Sequence, residues 1–368
     1  MNRPAVDLTE AAEPVVPVRP GRSKASKLGK IRRAAIETLI IVLVSLCSCE
    51  AALRIYDHYF PNFIFASDDY NKFRGHPFAE IYGTRLNSKG FHGPEFAVSK
   101  PPGTYRIIAI GDSYAFGMVP YPDVYLTLLE RRLRDSGKPV ELINMGVPAI
   151  GPPDYLGMLI REGLELKPDM VLLGFFIGND FLDSRRAPSR FTSFSYVTTL
   201  FKFLFRIHRQ YAGAMFSSKY DESEASFTPE AYHRLGMIRS YVFRKDDPNY
   251  LSDFKKAIRY LVQIRDVCAR NKIRLVVVEL PDEMQVSPDF QREIVRTGGC
   301  DPCDFRQPNE MLGRELRRNG IDVLDLTNDF IEAGKTRRLY RLRDTHWNIA
   351  GNALAAERID RYLESNWQ

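Results

Sequence analysis

From Tyr105 onward the chain switches repeatedly between two hydrophobic periods, and this alternation constrains its fold more than any other feature. Short, almost wholly apolar runs stand at Arg106–Ile110, Val140–Asn144, Met170–Ile177, Ile273–Leu280 and Ile321–Leu326. Between them, apolar residues recur at helical spacing over Val124–Arg134, Tyr155–Leu166, Leu251–Asn271 and Asn309–Arg318, and again in a last amphipathic stretch, Ile349–Glu364. A strand that is apolar at nearly every position must be covered on both faces, and parallel sheets flanked by helices meet that need. The pattern predicts one five-stranded parallel sheet in a three-layer α/β/α arrangement. Ligands bind such sheets outside the carboxyl ends of the strands, so the chemistry is sought where each run stops.

The 368 residues allow one large domain or two ordinary ones. Lys and Arg number 52 against 46 Asp and Glu, a net of +6. Residues 1–33 alone hold eight basic and three acidic residues, so +5 of that excess belongs to the tail. The body is close to neutral, which argues against nucleic acid as a partner. No repeat of 20–50 residues is present, which excludes a solenoid or propeller.

The tail, 1–33, carries Pro4, Pro14, Pro17 and Pro20 and then a basic cluster ending at Arg32 and Arg33, with no apolar period. It reads as disordered. Residues 34–53 follow, a run of 20 around Leu39-Ile40-Ile41-Val42-Leu43-Val44, about the length that crosses a bilayer. Its two acids, Glu37 and Glu50, sit near the ends, where the cost of a charge is lower. Basic residues precede the run, so the positive-inside rule places the N-terminus in the cytoplasm and everything after Arg54 outside. Three other readings stand beside a single-pass anchor: a cleaved signal peptide with an unusually long basic region, a lipidated Cys49 after Leu46-Cys47-Ser48, and a buried soluble helix.

Residues 54–103 form an aromatic-rich segment before the first strand, ending in Asn87-Ser88-Lys89-Gly90-Phe91-His92-Gly93. Residues 181–250 interrupt the alternation. From Asp183 to Lys219 they hold seven Lys or Arg and one acid. This insertion reads either as a solvated helix pair or as a basic lid against a membrane surface or an anionic glycan.

The first strand stops at Gly111-Asp112-Ser113. A serine there has its hydroxyl in the cleft, and a backbone N–H at the following helix start can face an oxyanion; Asp112 and Ser113 also suit a plain helix cap. The second stops at Asn144-Met145-Gly146-Val147-Pro148-Ala149 and the third at Ile177-Gly178-Asn179-Asp180. Glycine lets the backbone approach a ligand closely and an Asn amide can donate to a developing oxyanion, although each block alone also suits a turn. Near the end stands Asp344-Thr345-His346. A carboxylate two residues from a histidine can orient the ring through Nδ1, or Asp344 can cap the last helix. His58, His76, His92, His208 and His233 have no such company. Metal-ligand spacing, a P-loop and a dinucleotide fingerprint are all missing, so neither metal nor cofactor is expected. Cys300-Asp301-Pro302-Cys303 is a lone loop pair, suited to a disulfide if the domain lies outside the cytoplasm.

Together the four strand-end blocks, in this order across residues 104–360, resemble the SGNH hydrolase family, also called GDSL-type esterases and lipases. The Asn87–Gly93 segment and the N-terminal run resemble its bacterial membrane-anchored members. The resemblance implies a flavodoxin-like α/β/α sandwich over 104–368. It implies Ser113 as nucleophile, His346 as base and Asp344 as its orienting acid. It also implies an oxyanion hole from the N–H groups of Ser113 and Ala149 and the Asn179 side chain, flanked by Gly146 and Gly178. One departure is clear: related anchored proteins tend to read Gly-Val-Pro-Gly where this chain has Gly146-Val147-Pro148-Ala149. If φ is negative at Ala149 the change is harmless, and if φ is positive it costs about 1 kcal/mol or distorts the hole. The expected activity is that of a serine esterase on O-acyl esters of an envelope glycan or lipid, at the outer face of a bacterial inner membrane. An O-acyltransferase with the same triad and a non-catalytic glycan-binding module are the alternatives.

Overall fold

The computed structural model describes residues 24–59, 73–185, 195–198, 200, 201, 204, 205 and 219–367. Most of the basic stretch between Asp183 and Lys219, and with it the expected lid, lies outside the described residues, as does the tail before Lys24.

Helix α1 (Lys24–Tyr59) belongs to the first of two compact units as far as Ile55, and it takes in residues 24–33, where disorder was expected, because no proline stands between Pro20 and the apolar run. Its segment Gly29–Tyr56 is long and apolar enough to cross a membrane; at about 1.5 Å per residue, 28 residues span about 42 Å. The two acids that marred the run are each paired one turn away, Glu37 with Arg33 and Glu50 with Arg54, both at 2.8 Å.

In the second unit, β1 (Tyr105–Ile110), β2 (Val140–Asn144), β3 (Met170–Phe176), β4 (Arg274–Leu280) and β5 (Asp322–Asp325) form one sheet in the order β2-β1-β3-β4-β5. Every pairing is parallel. That order is the flavodoxin-like one, so the expected architecture is the observed one. Alternate residues of each strand enter opposite cores. Ile108, Ile110, Val171, Leu173 and Val277 pack on one side with Tyr155 and Met158 of α4 (Pro152–Met158) and Leu261 and Ile264 of α7 (Pro248–Arg270). Ile107, Ala109, Leu172, Val276 and Val278 pack on the other with Leu129 and Leu133 of α3 (Tyr125–Asp135) and Leu354 and Ile359 of α12 (Ile349–Ser365). Burial of both faces is why these strands read as continuous apolar runs.

Two details depart from the sequence expectation. The helix predicted over Tyr155–Leu166 begins earlier, where Pro152 and Pro153 suit a first turn, and it passes after Met158 into a π turn, Leu159–Gly163, and a 3₁₀ turn, Leu164–Leu166. In the insertion, Tyr232 of α6 (Pro229–Arg239) and Tyr241, Val242 and Phe243 just after it are buried in the main core. From Pro229 on, the insertion is therefore part of the domain's packing rather than a surface flap. The loop cysteines Cys300 and Cys303 are bonded to each other.

Candidate active site

β1 delivers Gly111 and Asp112 to the sheet's carboxyl edge, and Ser113 opens the single turn α2 (Ser113–Phe116). Asp112 is buried and caps that turn, with Oδ1 accepting the Tyr114 N–H at 2.9 Å. Ser113 is left half-buried. The Asp344–His346 loop comes from just before α12, and Asn348, not Asp344, caps that helix. The Ser113 hydroxyl and His346 Nε2 are 2.8 Å apart, and His346 Nδ1 is 2.5 Å from Asp344 Oδ1. Two hydrogen bonds thus run in series from a half-buried hydroxyl to a buried carboxylate, the first of them between residues 233 apart in the chain.

The carboxylate is held from its far side as well. Arg341 Nη1 lies 2.7 Å from Asp344 Oδ2, and the Ser226 hydroxyl donates to the same oxygen. Burial by itself would raise the Asp344 carboxyl. Charge and hydrogen bonding from His346, then Arg341 and Ser226, hold it down at about 2. Asp112 behaves differently. Burial pushes it up to about 6, opposed by the Tyr114 N–H and the charges of His346 and Arg239. Burial, reinforced by Asp112 and Asp183, also raises Asp180, at the end of β3, well above the usual range. Tyr155 and the Phe176 N–H hydrogen-bond its carboxyl.

Thr345, between the paired residues, sits at φ +63, a conformation a β-branched side chain rarely takes. The Tyr114 hydroxyl donates to its carbonyl, and the Tyr114 ring packs 5.3 Å from the His346 ring, centroid to centroid. The residue after the candidate nucleophile therefore braces the loop that carries the candidate base.

The remaining predicted residues occupy the neighbouring strand ends. A Cβ on Gly146 would lie 2.1 Å from the Phe116 N, so this glycine lets the turn after β2 close onto α2. A Cβ on Gly178 would lie 2.3 Å from Asp282 Oδ2. Both glycines thus serve close packing within the protein. Asn179 is half-buried at the residue before α5 (Asp180–Asp183), and its Oδ1 has no hydrogen-bond partner. Ala149 is exposed and lies at φ +58, so of the two cases considered for this position the strained one holds. Replacing Ala149 by Gly should stabilise the protein by about 0.5–1 kcal/mol, the αL penalty less the flexibility glycine adds to the unfolded chain. A thermal melt should rise by roughly 1–3 °C; a fall would show that the turn is unstrained.

Sequence reasoning missed Arg341, Ser226, Tyr114 and Thr345. Arg341 stands three residues before Asp344 and could have been weighed as its partner. Ser226 is 118 residues away and carried no local signal.

The family model described as "SGNH hydrolase-like domain, acetyltransferase AlgX" matches residues 243–367. That span holds Asp344 and His346; Ser113 lies before it. With the strand order and the strand-end blocks, it decides the family resemblance. Residues 243–367 are SGNH hydrolase-like. Among solved structures, this chain is similar to an acetyl xylan esterase at 16% identity, covering 70% of this chain and 99% of that one with a TM-score of 0.40. A lipase/acylhydrolase from Enterococcus faecalis is 15% identical over 71% of this chain and 96% of that one, TM-score 0.39. An acetyl-xylooligosaccharide esterase from Geobacillus is 12% identical over 70% and 93%, TM-score 0.41. No curated protein sequence matches the chain.

Proposed function

We propose that this protein handles acyl esters through an acyl-enzyme on Ser113. The observation that carries the reading is the pair of hydrogen bonds in series, Ser113 to His346 at 2.8 Å and His346 to Asp344 at 2.5 Å. The Ser113 oxygen attacks the acyl carbonyl as His346 Nε2 takes its proton. Asp344 fixes the ring so that Nδ1 keeps its hydrogen and Nε2 presents a lone pair. The carbonyl oxygen, now negative, is met by the Ser113 N–H, the Ala149 N–H and the Asn179 amide, the donors that the family pattern assigns. The tetrahedral adduct expels the alcohol, which receives the proton from His346. A second hydroxyl, from water or from an acceptor, then gives its proton to His346 and takes the acyl group, and Ser113 regains its hydrogen.

Hydrolysis and transfer differ only in that last acceptor. The description of the matched family as an acetyltransferase favours a sugar hydroxyl as a second reading. The substrate class we assign is an O-acylated envelope glycan or lipid, met outside the cytoplasm: residues 1–33 form a cytoplasmic tail, 34–53 an anchor, and 54–103 lead into the domain 104–368. The full chain, assayed with short p-nitrophenyl esters with and without an oligosaccharide acceptor, should release the phenol in both cases. Acyl-sugar in the second distinguishes transferase from hydrolase. No release from any short ester, with no fluorophosphonate labelling, would leave only the glycan-binding alternative. An alkaline phosphatase fused after residue 60 should be active in intact bacteria. A stably made but inactive fusion would overturn the topology and the substrate class with it.

A further inference from the structure

Arg341 has no part in the mechanism above, yet it is a buried charge beside the site, at 9% exposure. Its Nη1 reaches Asp344 Oδ2 at 2.7 Å and the Tyr82 hydroxyl at 3.3 Å. Its guanidinium carbon lies 5.9 Å from the Tyr82 ring centroid and 5.4 Å from that of Tyr220, and the two rings meet edge to face at 5.5 Å. Tyr82 belongs to the turn between two short antiparallel strands, Glu80–Ile81 and Thr84–Arg85, in the segment before the sheet. Tyr220 belongs to the insertion. The residues after Tyr220 run along the His346 loop: the Ser226 and Phe227 N–H groups donate to the carbonyls of Leu342 and Arg343, and the Ile349 N–H donates to Glu222. Two segments remote in sequence therefore converge on one guanidinium, which grips the oxygen of Asp344 that faces away from His346.

We infer that Arg341 is a positioning residue for Asp344, and that the pre-sheet turn and the 220–227 strap act on the site by holding it. An isolated carboxylate can rotate about its χ angles; one oxygen fixed by a planar, boxed guanidinium and the Ser226 hydroxyl leaves the other with a single direction, toward Nδ1. Arginine suits this task because its fork is rigid and permanently charged and its face stacks on aromatic rings.

The inference rests on the serine-nucleophile reading, and the test separates the two. Full-length protein in detergent micelles is labelled with a fluorophosphonate, and the limiting labelling rate is measured apart from the half-saturating probe concentration. Arg341→Gln should lower the limiting rate about 10–100-fold, part of what a well-placed general base contributes, with half-saturation little changed. Arg341→Lys, which restores the charge but not the rigid fork, should recover only part of that loss. Tyr220→Leu opens the box without touching Asp344 and should slow labelling several-fold even if Arg341→Gln fails to fold. A folded Arg341→Gln protein that labels at the wild-type rate overturns the inference alone. So does a folded Lys variant no faster than the Gln one, or an unchanged rate in Tyr220→Leu. A wild-type chain that does not label overturns the nucleophile reading, and this inference with it.

Discussion

Ser113→Ala should abolish ester turnover and fluorophosphonate labelling while leaving the thermal melt in place. Ser113 is half-buried at the start of a four-residue turn, and its hydroxyl meets His346 rather than a structural partner, so its removal leaves no unsatisfied group in the core. His346→Ala should lose nearly as much, because a nucleophile and its base act as a unit and their losses do not add. Asn179→Ala should be milder: one oxyanion donor is typically worth about 10²–10³ in turnover. Labelling would be slowed and not lost. The order of the three losses is the measurement that matters. Full turnover in Ser113→Ala would end the covalent mechanism. An Asn179→Ala protein as inactive as Ser113→Ala would give Asn179 a task beyond that of one donor.

The sheet was legible in the sequence because burial on both faces writes a strand as an unbroken apolar run, and Val140–Asn144 was found with its observed ends. The helix after β2 was misplaced because prolines at 152 and 153 look like breakers yet suit a first turn, and because a π turn at Leu159–Gly163 keeps apolar residues near helical spacing while changing the hydrogen bonding. Ser113, Asp344 and His346 were legible because strand-end position and two-residue spacing are local signals. What surrounds them was not. The hold of Ser226 on Asp344 and of Tyr114 on Thr345 depends on how distant loops meet, and no period records that. Gly146 and Gly178 were read as points where the backbone approaches a ligand, whereas what a side chain there would meet is the backbone of α2 and the carboxyl of Asp282. Ala149 was recognised as the odd residue of its block, and only the fold could supply the sign of its φ.

Asp344→Asn should cost about 10⁴ in turnover, the loss expected when a histidine is held in the wrong tautomer, and the surroundings of Asp344 say why. A carboxylate accepts at both oxygens, so it serves His346 Nδ1–H on one side and Arg341 and Ser226 on the other. An amide has one accepting end. Arg341 can only donate, so the amide oxygen is drawn to the guanidinium at 2.7 Å and the NH₂ is turned toward His346. Nδ1 must then accept, its hydrogen moves to Nε2, and Nε2 no longer has a lone pair for the Ser113 proton. The structure thus predicts an interaction between two substitutions. With Arg341→Gln in the same protein, the glutamine amide can present its oxygen to the NH₂, the Asn carbonyl is free to accept from Nδ1–H, and part of the lost activity should return. The double variant should therefore be faster than Asp344→Asn alone, although each change by itself is harmful. If the double variant is slower than Asp344→Asn, the amide is not being turned by Arg341, and the loss on removing the carboxylate has to come from missing charge rather than from the tautomer of His346.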